Sequence, residues 1–326
     1  MPKAIITGVL GQDGSYLTEL LLEKEYEVCG VYRRVSTGNN WGNIETVKEH
    51  PNLHLVCGDI CDAGFITELV SGLKPELFFN TAAQSHVGQS FKEPVQTLRI
   101  DGEAVLIQLE AIRSFSPQTR YLQCSTSELY GGLNCPLDGY TELNQHHPRS
   151  PYGTAKEFAF NTVVNYREAY NLFACNAVCF NHSSPKRGLD FAARKITHGI
   201  ASIKLGLQEQ LLMGNLTPFR DEGASQDYTR AMHLILQQDK PEDFVVATGT
   251  GATIEEELRY VCDLAELRFE DVYRQDERFM RPSDVPYLLG NPSKIKAIGW
   301  KPKYTWQSLL KEMYENDLKV LSSGTN

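Results

Sequence analysis

The opening residues constrain this chain most. An apolar run, KAIIT (3–7), leads into TGVLGQDG (7–14), with glycines at 8, 11 and 14, and then into the helical pattern SYLTELLLEKE. Glycine permits a tight turn and close approach to the backbone. A helix that begins directly after such a loop presents unpaired N–H groups and the positive end of its dipole. Strand, glycine loop and helix in that order suit a pyrophosphate, provided a second strand follows about twenty residues on. EVCGVYR (27–33) is that strand. Gly8, Gly11, Gln12, Asp13 and Gly14 are therefore expected to lie against a dinucleotide.

The alternation continues through LHLVCGD (53–59), ELFFNTAA (76–83), RYLQCST (120–126) and FACNAVCF (173–180), separated by loops or amphipathic segments. Strands alternating with helices imply crossovers and a parallel sheet covered on both faces. The expected fold class is α/β: a doubly wound parallel sheet over residues 1–180, with later segments at roughly 225–250 returning to it. Residues 181–326 read mainly as a smaller α/β substrate lobe, with a helix around ARKITHGIASIKLG, a strand at EQLLMGN and a closing helix at WQSLLKEMYENDL. Its scattered Arg and Lys suit a lobe that closes over a charged ligand.

Composition excludes some classes. A formal net charge of −9 opposes general nucleic-acid binding, which uses a basic surface. No charged segment followed by an apolar one opens the chain, and no run of eighteen apolar residues occurs, so a cytoplasmic protein without membrane contact is expected. The eight cysteines are scattered without a CxxC pair. They read as small, reduced, buried hydrophobes, with no metal site.

The strand ends carry the chemistry. An acid at the end of the second strand holds a ribose hydroxyl, whereas arginine pairs with a ribose 2′-phosphate. The sequence reads VYRRVS, so Arg33 and Arg34 favour NADP over NAD. Asp59 and Ile60, from CGDI, are expected at the adenine, and Ala82, Ala83 and Gln84, from NTAAQSH, beside the nicotinamide ribose. In SPYGTAKEFAF, Tyr152 and Lys156 lie four apart on one helix face. An ammonium beside a phenol lowers its pKa, so that tyrosine can take a hydroxyl proton while hydride leaves the adjoining carbon. CSTSELYG delivers Ser125, Thr126, Ser127 and Glu128 at the carboxyl edge of the sheet. A dehydrogenase needs only tyrosine, lysine and a hydroxyl; Glu128 is a second base, which elimination of water beside a transient ketone requires.

These motifs, with QSHV, VNYREAY, FNHSSPKRG, RKIT, PEDFVVATG, RPSDV and GNPSKIKAIGWKP, span nearly the whole chain. It resembles the extended short-chain dehydrogenase/reductases, and within them the GDP-mannose 4,6-dehydratase family. The resemblance implies a Rossmann-type domain and an NADP-dependent lyase that makes GDP-4-keto-6-deoxy-D-mannose, with Tyr152, Lys156, Thr126, Ser127 and Glu128 catalytic. It further implies cofactor contacts from His182 and Arg187, and GDP-sugar contacts from Ser85, Asn181, Lys195, Arg220, Arg281 and Asp284. A homodimer or homotetramer is implied as well, the region TGNNWGN resembling a segment through which family members pack as tetramers. The chain departs from the family at Ser183 and Lys186, where NHESPRRG is usual, at Glu222, where RDWG is usual, and at Asp284, where glutamate is usual. A related GDP-heptose remains an alternative substrate. A sugar-nucleotide epimerase or 4-ketoreductase, and a non-catalytic NADP sensor, are the alternative functions.

Overall fold

The computed structural model describes residues 1–36, 41–280 and 283–324. Six apolar runs form strands: β1 (Lys3–Thr7), β2 (Glu27–Tyr32), β3 (Leu53–Cys57), β4 (Leu77–Asn80), β5 (Arg120–Thr126) and β6 (Ala174–Cys179). After β7 (Asn181–Ser183), β8 (Leu211–Met213) and β9 (Phe219–Ala224), the chain returns with β10 (Phe244–Val246). Among the described residues seven strands make one sheet in the order β10-β6-β5-β4-β1-β2-β3, every neighbour parallel. Every residue of β4 and of β6 is buried. Those strands read as unbroken apolar runs because helices cover both faces of the sheet.

One face is covered by helices Gln12–Glu23 and Ser225–Ile235, through Leu17, Leu21, Tyr228 and Met232. The other is covered by helices Ala63–Leu73, Ala104–Phe115 and Pro151–Tyr170, through Ile66, Val70, Leu109, Ile112, Ala159 and Val163. Beneath the carboxyl ends of the central strands a buried polar ladder joins three of them. The Thr7 hydroxyl donates to the Asn80 side chain (2.6 Å), which donates to Gln123 (2.7 Å). Because every member is paired, the ladder fixes the relative positions of the strand ends at little desolvation cost.

The sheet reverses its winding at β1, with β2 on one side and β4 on the other. In open α/β sheets that switch point opens a crevice at the carboxyl ends of the strands. Over it lies a second lobe, with β9 at the centre of a smaller sheet that pairs with β7, β11 (Gly251–Thr253) and β13 (Tyr287–Leu288); β12 (Tyr273–Gln275) pairs with β8. Helices Ala192–Lys204, Ile254–Leu264 and Trp306–Ser322 enclose this lobe's own core. The Tyr130 and Tyr140 rings stack at 4.4 Å in a further cluster with Phe180, Val245 and Leu288, which joins the two lobes.

Candidate active site

The glycine loop is shaped first by its own backbone. A Cβ on Gly14 would fall 2.3 Å from the Gly8 carbonyl oxygen, and one on Gly8, at φ +71°, would fall 2.9 Å from the Ala82 backbone. The helix N-terminus therefore packs tightly onto β1 and β4, and Gly11 to Gly14 line a cleft of about 1030 Å³ between the lobes. Gln12 and Asp13, expected to touch the cofactor, are largely spent on the protein. The Gln12 amide donates to the His182 carbonyl (3.1 Å) and accepts from the Ser184 hydroxyl (2.9 Å). Asp13 is paired with His182 at 3.0 Å and accepts from the Ser225 hydroxyl at 2.6 Å. Burial works against the His182 charge, but the Asp13 carboxylate outweighs it and lifts the imidazole to about 9. Burial alone would raise Asp13; His182, Ser225 and Arg187 together hold it below the usual range. The acid in the first helical turn is thus neutralised by its own surroundings.

Arg33, Asp59, Ile60, Ala82, Ala83, Gln84 and Ser85 all border the same cleft. Arg34 is exposed and lies outside that wall, because successive residues leaving a strand point to opposite sides. Arg187 stacks its guanidinium over Phe191 at 3.7 Å and keeps a buried Nε without a hydrogen-bond partner among the described residues. A helix terminus and a half-buried arginine in one cleft fit the phosphates of a dinucleotide.

The opposite wall carries the proton chemistry. Ser150 caps helix Pro151–Tyr170, accepting from the Gly153 N–H at 3.0 Å, with Pro151 in the first turn. This start fixes Tyr152 and Lys156 one turn apart; the ammonium lies 5.8 Å from the phenol ring and donates to the Cys124 carbonyl at 3.1 Å. The Thr126 hydroxyl accepts from the Glu128 N–H at 3.2 Å and lies close enough to the Tyr152 hydroxyl to favour its ionisation. Ser127 and Glu128 begin the turn that follows β5, and both are buried.

The expectation of an acidified phenol fails for the chain by itself. Burial pushes Tyr152 well above its ordinary value, and the charges of Asp101, Cys124 and Glu128 add to the rise, leaving only the Thr126 bond to oppose it. Asp101 lies behind the cleft wall, where its charge acts on Tyr152, and the sequence reading missed it. It sits in a wide helical turn, Arg99–Glu103, 1% exposed, and accepts the Gln84 N–H at 2.8 Å. Burial pushes its carboxyl to about 6 against the pull of Lys156. Such π-turns mark functional positions, but in sequence an acid inside a helical stretch reads as surface.

The second lobe supplies Asn181, Lys195, Arg220 and Asp284 to the cleft; Arg281 lies outside the described residues. Arg220 pairs with Asp284 at 3.6 Å, and the Lys195 ammonium rests on the Phe279 ring at 3.2 Å. Burial lowers the Lys195 pKa, Asp276 opposing and Arg278 adding to the fall. The departures at 183 and 222 prove to be neighbours: β7 pairs with β9, and the Ser183 hydroxyl opposes the rise that burial gives the Glu222 carboxyl. Glu222, Glu257 and Phe279 also line the cleft and were not anticipated there. The cysteines depart from expectation in part. All eight are free, but Cys57 is exposed and Cys61, Cys124 and Cys135 are half-buried.

Comparison with known proteins agrees with this geometry. A family model described as GDP-mannose 4,6 dehydratase matches residues 5–313. A GDP-mannose 4,6-dehydratase of Yersinia enterocolitica is 41% identical over an alignment of 355 residues, covering 98% of this chain and 94% of that protein. GDP-mannose 4,6 dehydratase 2 of Arabidopsis thaliana is 43% identical over 328 residues, covering 97% and 87%. Among solved structures, dTDP-glucose 4,6-dehydratase from Bacillus anthracis in complex with NAD matches with a TM-score of 0.85 at 21% identity, covering 98% of this chain and 97% of that one. UDP-glucose 4-epimerase from Thermotoga maritima with UDP-glucose matches with a TM-score of 0.86 at 24% identity, covering 98% and 99%. The two structures, at such identities, speak for the fold alone. The family model and the two relatives extend over nearly the full chain, and on that ground this protein belongs to the GDP-mannose 4,6 dehydratase family.

Proposed function

We propose that this protein converts GDP-D-mannose to GDP-4-keto-6-deoxy-D-mannose and water, using NADP held in the cleft. The observation that carries this reading is the meeting of Glu128 with Thr126, Tyr152 and Lys156 in one buried corner. An epimerase or ketoreductase needs only the last three. A nicotinamide dinucleotide held by the glycine loop, Arg33 and Arg187 would supply the acceptor of the C4 hydride and the donor that returns it to C6. Tyr152 takes the proton of the sugar 4-hydroxyl, and Thr126 and Ser127 orient the same end of the ring. Lys156 holds a positive charge near the phenol. Glu128 removes the C5 proton, which the neighbouring ketone acidifies, and passes a proton to the departing C6 hydroxyl. Two relatives bearing the dehydratase name support the substrate. The solved structure that matches in fold and carries NAD supports a nicotinamide cofactor, and Arg33 at the end of β2 supports the 2′-phosphate.

Mass spectrometry of GDP-mannose incubated with the protein and catalytic NADP+ tests the reading. Loss of one water without accumulation of NADPH is expected from the wild type. Glu128→Gln should lower that rate by about 10²–10⁴-fold while the nucleotides still bind. Turnover of a GDP-heptose alone would move the substrate, and full activity in the variant would remove Glu128 from the elimination.

A further inference from the structure

Three consecutive acids, Glu255, Glu256 and Glu257, open the helix Ile254–Leu264, and each has a different fate. Glu255 pairs with Arg259 on the surface at 2.9 Å. Glu256 closes a capping box with Thr253. Glu257 turns inward, 1% exposed, and borders the cleft. Because β11 pairs antiparallel with β9, matching Thr253 to Phe219, the helix start lies beside β9. Along β9 the side chains alternate. Asp221 points away and accepts from Thr248, Gly249 and Gly290, whereas Arg220 and Glu222 border the cleft. Glu222 is 4% exposed. Glu222 and Glu257 each keep one buried carboxylate oxygen, Oε1, without a hydrogen-bond partner among the described residues. The helix and strand thus bring two incompletely satisfied carboxylates to one wall, close enough that the charge of Glu222 acts on Glu257.

A buried acceptor is costly to leave unmet, so the wall calls for donors. Phosphate is excluded as the occupant, since it brings only acceptors and negative charge. A metal ion is disfavoured because, among the described residues, no group of three or more potential metal-ligating His, Cys, Asp and Glu gathers anywhere. Burial pushes both carboxyls above the usual carboxylate range, Glu257 the further because the Glu222 charge adds to the rise, and the cations nearby, His182 and Arg187 for Glu222 and Arg220 for Glu257, only oppose it. What fits is a neutral group with two adjacent donors. We propose that Glu222 and Glu257 form a subsite that holds a vicinal diol of the nucleotide sugar, on its ribose or on its hexose. The proposal rests on the nucleotide-sugar reading of the cleft. The spacing agrees: Arg220 and Glu222 are two residues apart on one strand face, about 6.6 Å, roughly the reach from a phosphate to hydroxyls on the sugar it carries.

Calorimetric titration of the full-length protein with GDP, 2′,3′-dideoxy-GDP, GDP-mannose and GDP-2-deoxymannose distinguishes the sources. One deoxy analogue should bind the wild type at least about tenfold more weakly than its parent. That ratio should fall towards one in Glu222→Gln and Glu257→Gln. A penalty on the dideoxy nucleotide assigns the ribose, and one on the deoxymannose assigns the hexose. The wild-type comparison does not depend on how the variants fold. If both parents bind without penalty to either analogue, or if the penalty persists unchanged in both variants, the diol subsite is wrong while the substrate reading stands. If neither GDP nor GDP-mannose binds, both are wrong.

Discussion

At Tyr152 the balance of surrounding charge decides when the phenol can act. Burial is the largest influence and Asp101 the second, both opposing ionisation. Replacing Asp101 by asparagine keeps an acceptor for the Gln84 N–H and removes the negative charge, so the phenol pKa must fall. In Asp101→Asn the acid limb of the kcat/KM profile should move to lower pH by roughly one unit. A limb that stays in place would separate Asp101 from the base. Arg33 poses a different question, because a 2′-phosphate offers an arginine charge and geometry that a ribose hydroxyl does not. Arg33→Ala should weaken NADP by about tenfold relative to NAD, read from the two dissociation constants. An unchanged ratio would end the 2′-phosphate argument.

The glycine-loop helix and the strand β7 are joined by charge as well as by packing. Gln12 and Asp13 reach across to His182 and Ser184, and the His182 ring stacks on Tyr228 at 4.5 Å. The stability this adds depends on pH in a defined direction. His182 is raised from 6.5 to about 9, so its contribution is full below 6.5 and is lost as pH rises through about 9. Asp13 is lowered, so its share is present above the ordinary 3.8 and lost as pH falls through its folded value. In denaturant titrations His182→Gln should therefore cost most near pH 6, on the order of 2 to 3 kcal/mol, and much less at pH 9. A cost independent of pH would mean that only packing joins the two elements.

At the scale of the molecule, an apolar face remains beside helix Pro151–Tyr170. Val95, Leu98 and Phe158 are 66%, 47% and 45% exposed. Leu98 and Phe158 are brought together at Gly102, where a Cβ would lie 3.1 Å from each. We propose that a second copy of the chain covers these exposed apolar residues. Leu98→Glu with Phe158→Glu should shift the mass measured by light scattering from dimer to monomer. A wild-type monomer, or a double variant that stays dimeric, would reject this face. The TGNNWGN region, to which a tetramer contact was ascribed, falls partly at residues 37–40, outside the described residues.

The strands β1 to β6 could be located from the sequence because each is a short, largely apolar run, and the central ones β4 and β6 are buried on both faces, a demand that leaves few alternative residues. The glycine loop and the Tyr152–Lys156 pair were legible for a similar reason, since short-range geometry fixes both: a close backbone approach in one, a single helical turn in the other. What sequence left open depends on contacts between distant segments. Gln12 and Asp13 border the cleft as expected of cofactor contacts, but their bonds to residues some 170 positions later could not be read from the sequence. No motif singled out Asp101 or Glu257, and the direction of the Tyr152 shift followed from burial and from Asp101, neither of which local spacing encodes. The sequence by itself determined the βα order, the glycine loop and the Tyr152–Lys156 spacing, because those rest on local periodicity. Only the tertiary structure decided which charges neutralise one another and which face the cleft, because electrostatic balance depends on burial and through-space distance.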